Sequence, residues 1–410
     1  MKQVVITGVG AVSPIGGSLD DALAAFLAAR SVVRLAPPPE EFAAWSRPRA
    51  QATITEDVAE GVPTALVKTA DRTTLLALRA SDRALADAGL APGGFESERF
   101  GTYVGCGSGP LDSHYIGNET LLRKDSISAM TVLRVLPNAP AAQVSMRHQL
   151  RGECITTCVG GASASVALGT ALRAIRRGEL DGAVAGGVES PLGVLSQLGW
   201  ERLGLLARVD PQDPAAACRP FSRDRTGVVL GEGAVLFVLE SADHARARGA
   251  RVLATLGGYG FCNDAGASLV RQEALGQATA MRAALRDAGL QADDIHYVAA
   301  DAPGTRLGDA IEAQALHATF GARAAQGLPV SSTKGLHGHL LGAAPGMGLL
   351  GALVALRDGV LPPTVNHEAN DPGVSLDVVP NAARRGVRVD AALVNGFALG
   401  GASSSLVVTR

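Results

Sequence analysis

The chain has 410 residues, of which 47% are hydrophobic and 19% charged. This balance excludes a disordered chain, because so much apolar surface does not stay solvated, and the length predicts two or three domains or one large double domain. The 37 basic and 39 acidic side chains give a net charge of -2 and form no basic block, which argues against nucleic acid as a partner.

The cysteines and the apolar segments indicate where the chain resides. Its five cysteines are scattered and odd in number, so we predict no disulfide framework, no metal site and a reducing, cytoplasmic location. The apolar opening run contains Gly8, Gly10 and Pro14 and has no cleavage motif, which favours a buried first strand over a signal peptide. The most apolar stretch, residues 340–356, holds 17 residues, fewer than the ~20 that span a bilayer. We expect a buried helix there and no membrane span.

Strand and helix patterns alternate along the chain, beginning with a predicted strand over residues 4–7. Ser18 precedes a segment with acidic residues in its first turn, which predicts a helix over 18–29. Residues 37–63 are rich in proline and charge and predict a surface excursion. The remaining predictions are helices over 70–88, 162–177, 273–288 and 338–357 and strands over 101–104, 152–158, 182–188, 298–300, 391–395 and 405–408. This alternation predicts α/β layers around a largely buried sheet.

Both halves of the chain contain a glycine-rich turn that leads into an Ala/Gly helix ended by Arg and Gly. The two segments are residues 161–178 and 338–359. They suggest an internal duplication, although Ala/Gly-rich helices also resemble one another by chance. We expect one half over residues 1–250 and the other over residues 251–410.

Four segments resemble the ketosynthases, the condensing enzymes of fatty-acid and polyketide assembly. They are VVITGVGAVSPIG from Val4, CRPFSRDRTGVVLGEGA from Cys218, SSTKGLHGHLLGAAPG from Ser331 and NGFALGGASSSL from Asn395. The segments follow one another in family order along the whole chain, which is more specific than any single motif. The resemblance implies an α/β, thiolase-like fold, duplicated into five α-β-α-β-α layers, and no cofactor.

The family's nucleophile is a cysteine at a helix N-terminus, where the helix dipole favours the thiolate. By resemblance it lies nine residues after one glycine and seventeen before another, and both Gly152 and Gly178 place it at Gly161. Cys158 lies three residues too early, and three residues rotate a helix by most of a turn. We therefore interpret Cys158 as a small buried strand residue, with a reactive thiol as the alternative.

The family's two histidines assist decarboxylation and stabilise the enolate oxyanion. The first lies eight residues before an aspartate, here Asp309, and its position holds Asp301. An ionised aspartate only accepts hydrogen bonds and repels an oxyanion. Lys334 and His339 match the family's Lys-x-x-x-Gly-His segment, and we expect both to be retained as buried, hydrogen-bonded scaffold. We expect His337 to be an ordinary turn residue.

The family's acyl gate is the second phenylalanine of a Phe-Gly-Phe-Gly-Gly turn, and Leu399 occupies that position in the turn that begins at Phe397. The Ala-Asp-Ala run at 300–302 resembles one subfamily, the chain-length factors, which lack the cysteine. This resemblance implies a substrate tunnel at a subunit interface. We assign Ser108, Thr131, Phe397 and Leu399 to that tunnel, although Ser108 and Thr131 equally suit ordinary turn and loop positions.

The sequence therefore predicts a non-catalytic subunit that pairs with an active ketosynthase and meets its acyl carrier protein through the complex. The depth of the tunnel would limit chain length, since extra methylenes in a full cavity cost ~1–3 kcal/mol. One alternative is an active condensing enzyme that uses Cys158, and another is a thioester-binding decarboxylase or acyltransferase assisted by His339 alone. A dinucleotide site at residues 8–10 is excluded, because the third glycine is missing and Pro14 interrupts the helix.

Overall fold

A computed structural model of the chain describes residues 1–37, 47–91 and 93–410. Its strands are β1 (Val4–Val12), β2 (Arg34–Leu35), β3 (Ala50–Ala52), β4 (Phe100–Gly105), β5 (Cys154–Thr157), β6 (Gly182–Glu189), β7 (Leu230–Gly231), β8 (Gly233–Ser241), β9 (Ala254–Asn263), β10 (Tyr297–Ala299), β11 (Pro329–Ser331), β12 (Asp377–Val378), β13 (Ala391–Phe397) and β14 (Ala402–Thr409). Its α-helices are α1 (Leu19–Ala28), α2 (Thr64–Thr69), α3 (Arg72–Asp87), α4 (Leu111–Lys124), α5 (Thr131–Val135), α6 (Ala139–His148), α7 (Ser163–Arg176), α8 (Val194–Arg202), α9 (Ala242–Ala247), α10 (Ala274–Ala288), α11 (Arg306–Phe320), α12 (Lys334–His337) and α13 (Ala344–Asp358).

Local capping signals set the ends of several helices as predicted. Ser18 caps α1 in a capping box: its Oγ accepts the Asp21 N–H, and Asp21 Oδ2 accepts the Ser18 N–H at 3.1 Å. Gly178 and Gly289 follow α7 and α10 with positive φ, a backbone conformation that glycine adopts without steric cost.

Two of the predictions need correction or fall partly outside the described residues. The helix predicted over 338–357 begins only at Ala344, because Gly338 has φ +71 and Pro345 occupies the first turn of α13, where its missing N–H costs nothing. Of the excursion predicted over 37–63, residues 38–46 lie outside the described residues. The described remainder includes the short strand β3 and the turn before α2.

The two halves of the chain repeat one topology. The strand order is β5-β4-β6-β8-β1 in the first half and β11-β10-β13-β14-β9 in the second, so both read 3-2-4-5-1 along the chain. In the first half β6 pairs antiparallel with β8 and parallel with β4. In the second half β13 likewise pairs antiparallel with β14 and parallel with β10. The halves join through β1 and β9, where Val5 pairs with Thr255 and Ile6 with Ala254. This repeat is the structural form of the duplication that the sequence suggests.

The helices complete five layers. Helices α7 and α13 share the central core with inward-facing residues of strands from both halves. Helices α3 and α6 cover the outer face of the first half, and α10 and α11 cover that of the second. This arrangement confirms the duplicated α-β-α-β-α fold implied by the family resemblance. A domain boundary at residue 250 stays a prediction, because both halves belong to one hydrogen-bonded sheet.

The buried glycine-rich helix predicted near residue 340 is α13 in the central layer. Nearly all of its residues are buried, including Met347 and Leu353. Among the helices that the structure describes, none combines the length and the apolar character needed to cross a bilayer.

Candidate functional site

A cavity of about 480 Å³ opens where the N-terminus of α7 meets the turn between β13 and β14. Six of the residues assigned to the site from the sequence line it: Ser108, Gly161, Asp301, His339, Phe397 and Leu399. Lys334 and Thr131 do not line it. The structure thus brings together residues that are as far apart in the sequence as Ser108 and Leu399.

Gly161 lies in a single 3-10 turn, Gly160–Ala162, directly before α7. A β-carbon at position 161 would lie 3.8 Å from Cε1 of His339, so a side chain there would face the imidazole. It would also lie 2.6 Å from the carbonyl oxygen of Phe397, a distance too short for a non-bonded contact. The position therefore has the location expected of the family's nucleophile but carries no side chain.

Two main-chain N–H groups of the cavity wall are available to a ligand. Within the described parts of the chain, no acceptor bonds the N–H of Gly161 or that of Leu399. An unpaired N–H group favours a negatively polarised oxygen, and that of Gly161 also lies at the N-terminus of α7. The cavity therefore offers donors for a thioester carbonyl although position 161 carries no side chain.

Cys158 lies one residue beyond β5 and is exposed, which corrects the prediction of a buried strand residue. Its Sγ donates to the carbonyl oxygen of Gly107 at 3.3 Å. Partial desolvation of the sulfur and the charge of Glu189 raise the pKa of the Cys158 thiol. The thiol therefore stays protonated at neutral pH, whereas a nucleophile needs the thiolate. Cys158 is also absent from the wall of the cavity.

Asp301 and Lys334 form a buried ion pair beside the cavity. Nζ of Lys334 lies 2.9 Å from Oδ1 of Asp301 and also donates to the main-chain carbonyl of Asp301. Both side chains are 6% exposed. Only Asp301 lines the cavity. The site thus presents a hydrogen-bond acceptor where the family resemblance implies a histidine. The positive charge of Lys334, behind it, is balanced by the carboxylate of Asp301.

Glu312 holds the main chain at Asp301, a role that the sequence analysis missed. Its two carboxylate oxygens accept the N–H groups of Asp301 and Ala302 at 3.0 and 2.7 Å, and Nδ2 of Asn395 donates to it at 2.9 Å. Burial and the charge of Asp301 raise the pKa of Glu312. The available signal was spacing, since Glu312 follows Asp309 by three residues and so shares its face of α11.

His339 is a buried, neutral imidazole. Burial, then the charges of Lys334 and His337, lower the pKa of His339 well below its ordinary value. No described residue bonds its Nδ1, which corrects the expectation of hydrogen-bonded scaffold. His337, expected to be a turn residue, is the buried last residue of α12, and its Nε2 lies 2.8 Å from Oγ1 of Thr333.

Ser108 is fixed by a second carboxylate that the sequence analysis missed. Its Oγ donates to the buried Glu189 at 2.8 Å, and Glu189 also accepts the N–H groups of Gly107 at 2.6 Å and Gly342 at 3.0 Å. Burial raises the pKa of Glu189 despite these bonds. Glu189 therefore ties the turn after β4 to the turn before α13, on one wall of the cavity.

Leu399, at the gate position, is exposed at the cavity wall, and Thr131 is half-buried away from the cavity. Leu399 is 39% exposed, and the neighbouring Gly400 N–H donates to the carbonyl oxygen of Leu269 at 2.7 Å. Thr131 begins α5 and packs close to Gly117 of α4: a β-carbon added to Gly117 would lie 3.2 Å from Cγ2 of Thr131. Its assignment to a tunnel stays a prediction, because this chain's own cavity does not reach it.

Comparisons with known proteins agree with the fold. "Nodulation protein E" of Rhizobium sp. (strain N33) is 40% identical over 341 residues, which cover 82% of each chain. "3-oxoacyl-[acyl-carrier-protein] synthase 2" of Rhizobium meliloti (strain 1021) is 36% identical over 439 residues, which cover 100% of this chain and 99% of that protein. A solved structure described as "The ishigamide ketosynthase/chain length factor" matches with a TM-score of 0.91 and 28% identity, and covers 100% of this chain and 99% of that one.

Family assignments follow the two halves of the chain. Residues 1–245 match the family described as "Beta-ketoacyl synthase, N-terminal domain", and residues 253–368 match "Beta-ketoacyl synthase, C-terminal domain". Together they account for most of the chain, including Gly161, Asp301, Lys334 and His339. The chain therefore belongs to the beta-ketoacyl synthase family.

Proposed function

We propose that the chain is a non-catalytic, chain-length-factor subunit that pairs with an active ketosynthase and shapes the tunnel for the growing acyl or polyketide chain. The observation that carries this proposal is Gly161, which stands at the N-terminus of α7 facing His339 but offers no thiol. Without a nucleophile no acyl-enzyme forms, so the chain must act on a substrate that the partner holds.

The rest of the site supports the same proposal. A condensing site needs groups that donate to the developing enolate oxygen. Asp301 accepts instead, and its charge is committed to Lys334 at 2.9 Å. Of the family's two histidine positions, only His339 still places an imidazole, here neutral, in the cavity wall. Two independent losses, of the nucleophile and of one donor, favour a role in shaping substrate over a role in condensing it.

A surface suited to the partner lies along β5, the terminal strand of the sheet in the first half of the chain. At the opposite end β12 covers β11, but no strand in the described part of the chain pairs with the outer edge of β5. An uncovered edge strand readily pairs with a strand of another chain. Helix α5 packs on α6, which packs on β5, and exposed apolar side chains on and near α4 and α5 extend this surface: Ile116, Leu121, Leu122, Ile127, Val132, Leu133 and Leu136. We propose that an active ketosynthase of the same fold covers this surface with its own edge strand.

Leu133→Asp is expected to weaken pairing on the order of 10-fold or more, because a carboxylate would be buried in an apolar interface. Leu133 is 56% exposed in the single chain, so its thermal unfolding should not change. The measurement is co-purification with a co-expressed candidate ketosynthase. Val252→Asp is the matched control, since Val252 is 50% exposed and lies outside this surface. Equal recovery of the partner with both variants would contradict the proposed interface.

A second candidate is an active synthase that uses Cys158. The 36% identity with a 3-oxoacyl synthase along the full chain favours it. The raised pKa of the Cys158 thiol and its absence from the cavity wall argue against it. The two candidates differ in whether this chain can be acylated, which a mass measurement decides.

A further inference from the structure

We propose that Asp301 makes the cavity selective for uncharged acyl thioesters and excludes thioesters that carry a carboxylate, such as a malonyl group. The inference rests on the proposed non-catalytic function and concerns the same cavity. It assigns a specificity-determining role to the residue that replaces the family's first histidine.

The argument begins with the charge that faces the cavity. Asp301 lines the wall, whereas Lys334 lies behind it. Oδ1 of Asp301 bonds Lys334, but no residue in the described part of the chain donates to Oδ2. A ligand carboxylate beside Asp301 would therefore meet a second carboxylate. Like charges repel more strongly where protein replaces water.

Lys334 offsets part of this repulsion, but it does not line the cavity, so the carboxylate of Asp301 is the charged group of the pair that a ligand meets. Lys334 directs its ammonium to both the carboxylate and the carbonyl oxygen of Asp301. His339 is neutral, since burial lowers its pKa. Arg306 also lines the cavity, but its side chain is exposed, so solvent screens its charge.

An uncharged acyl thioester meets none of these obstacles. The N–H groups of Gly161 and Leu399 are free to bind its carbonyl oxygen. Apolar wall residues, among them Leu205, Ile311 and Leu341, can cover its chain. Malonyl groups on a carrier protein would consequently be left to the partner's active site.

The test compares two unreactive probes, the butyryl and malonyl amide analogues of pantetheine, titrated calorimetrically into the purified full-length chain. We expect butyryl binding to be tighter by about 10-fold or more. Equal or tighter binding of the malonyl analogue would overturn the proposal, as would binding of neither probe.

Variants assign the selectivity to the charge at residue 301. Asp301→Asn leaves Lys334 uncompensated, so preference should shift toward the malonyl analogue. The double variant Asp301→Asn/Lys334→Met removes both charges, and its two affinities should become similar. The double variant also keeps the test decisive where the single variant unfolds. An unchanged ratio in either folded variant would overturn the role of Asp301.

The outcomes also separate this inference from the proposed function. The amide probes cannot transfer their acyl group, so their affinities do not depend on a nucleophile. An acyl adduct formed from a thioester would contradict the non-catalytic function and leave the affinity ratio as it was. An inverted ratio without an adduct would contradict only the role of Asp301.

Discussion

Lys334→Met is expected to lower the free energy of unfolding by about 3–5 kcal/mol, because it leaves the carboxylate of Asp301 buried without its partner. Both side chains are 6% exposed and their charged atoms lie 2.9 Å apart. Removing both charges in Lys334→Met/Asp301→Asn should recover much of the loss, since no uncompensated charge is then buried. Urea denaturation of the three proteins measures the coupling between the two residues.

Lys2→Met is the matched control for this experiment. Lys2 pairs with Asp181 at 3.4 Å, but the two side chains are 37% and 24% exposed. Such a surface pair contributes about 1 kcal/mol or less. If Lys334→Met cost no more than Lys2→Met, the buried ion pair would not be the feature that holds Asp301 in the cavity wall.

Gly161→Cys is expected to destabilise the chain without making it a condensing enzyme. The new β-carbon would lie 2.6 Å from the carbonyl oxygen of Phe397. Phe397 ends β13 and pairs with Ser403 in β14, so its carbonyl cannot turn aside freely. Overpacking of this kind costs ~1–3 kcal/mol. The missing donor at Asp301 further lowers the rate, since one lost oxyanion donor costs on the order of 10²–10³ in turnover.

Gly161→Ala separates the two effects, because it adds the same β-carbon without a thiol. Both variants should unfold at similarly reduced temperatures, and neither should condense malonyl and acyl carriers at a measurable rate. Condensation by Gly161→Cys at the rate of an active ketosynthase would show that the remaining site is intact. Asp301 would then have no inhibitory effect.

Features encoded over short stretches could be predicted from the sequence. The capping box of Ser18 and Asp21 uses residues three apart, and Gly178 ends α7 through its own φ. Motif spacing also placed Gly161, Asp301 and His339 in one site, and all three line the cavity. The repeated topology followed from a family resemblance that extends along the whole chain.

Features that depend on distant residues could not be predicted. The contact that would obstruct a side chain at Gly161 comes from Phe397, which belongs to the other half of the fold. Lys334 and Asp301 were each identified, but their ion pair joins the first residue of α12 to the segment after β10, 33 residues away. Cys158 is exposed just beyond β5, which is an edge strand, and a short local pattern does not distinguish an edge from the centre of a sheet.

The most direct test of a non-catalytic subunit is the intact mass of the chain after incubation with an acyl-loaded carrier protein. An active ketosynthase treated in the same way is the control. Our account predicts an acyl adduct on the control and none on this chain. A stable acyl adduct on this chain that maps to Cys158 would contradict the account and identify the chain as a condensing enzyme.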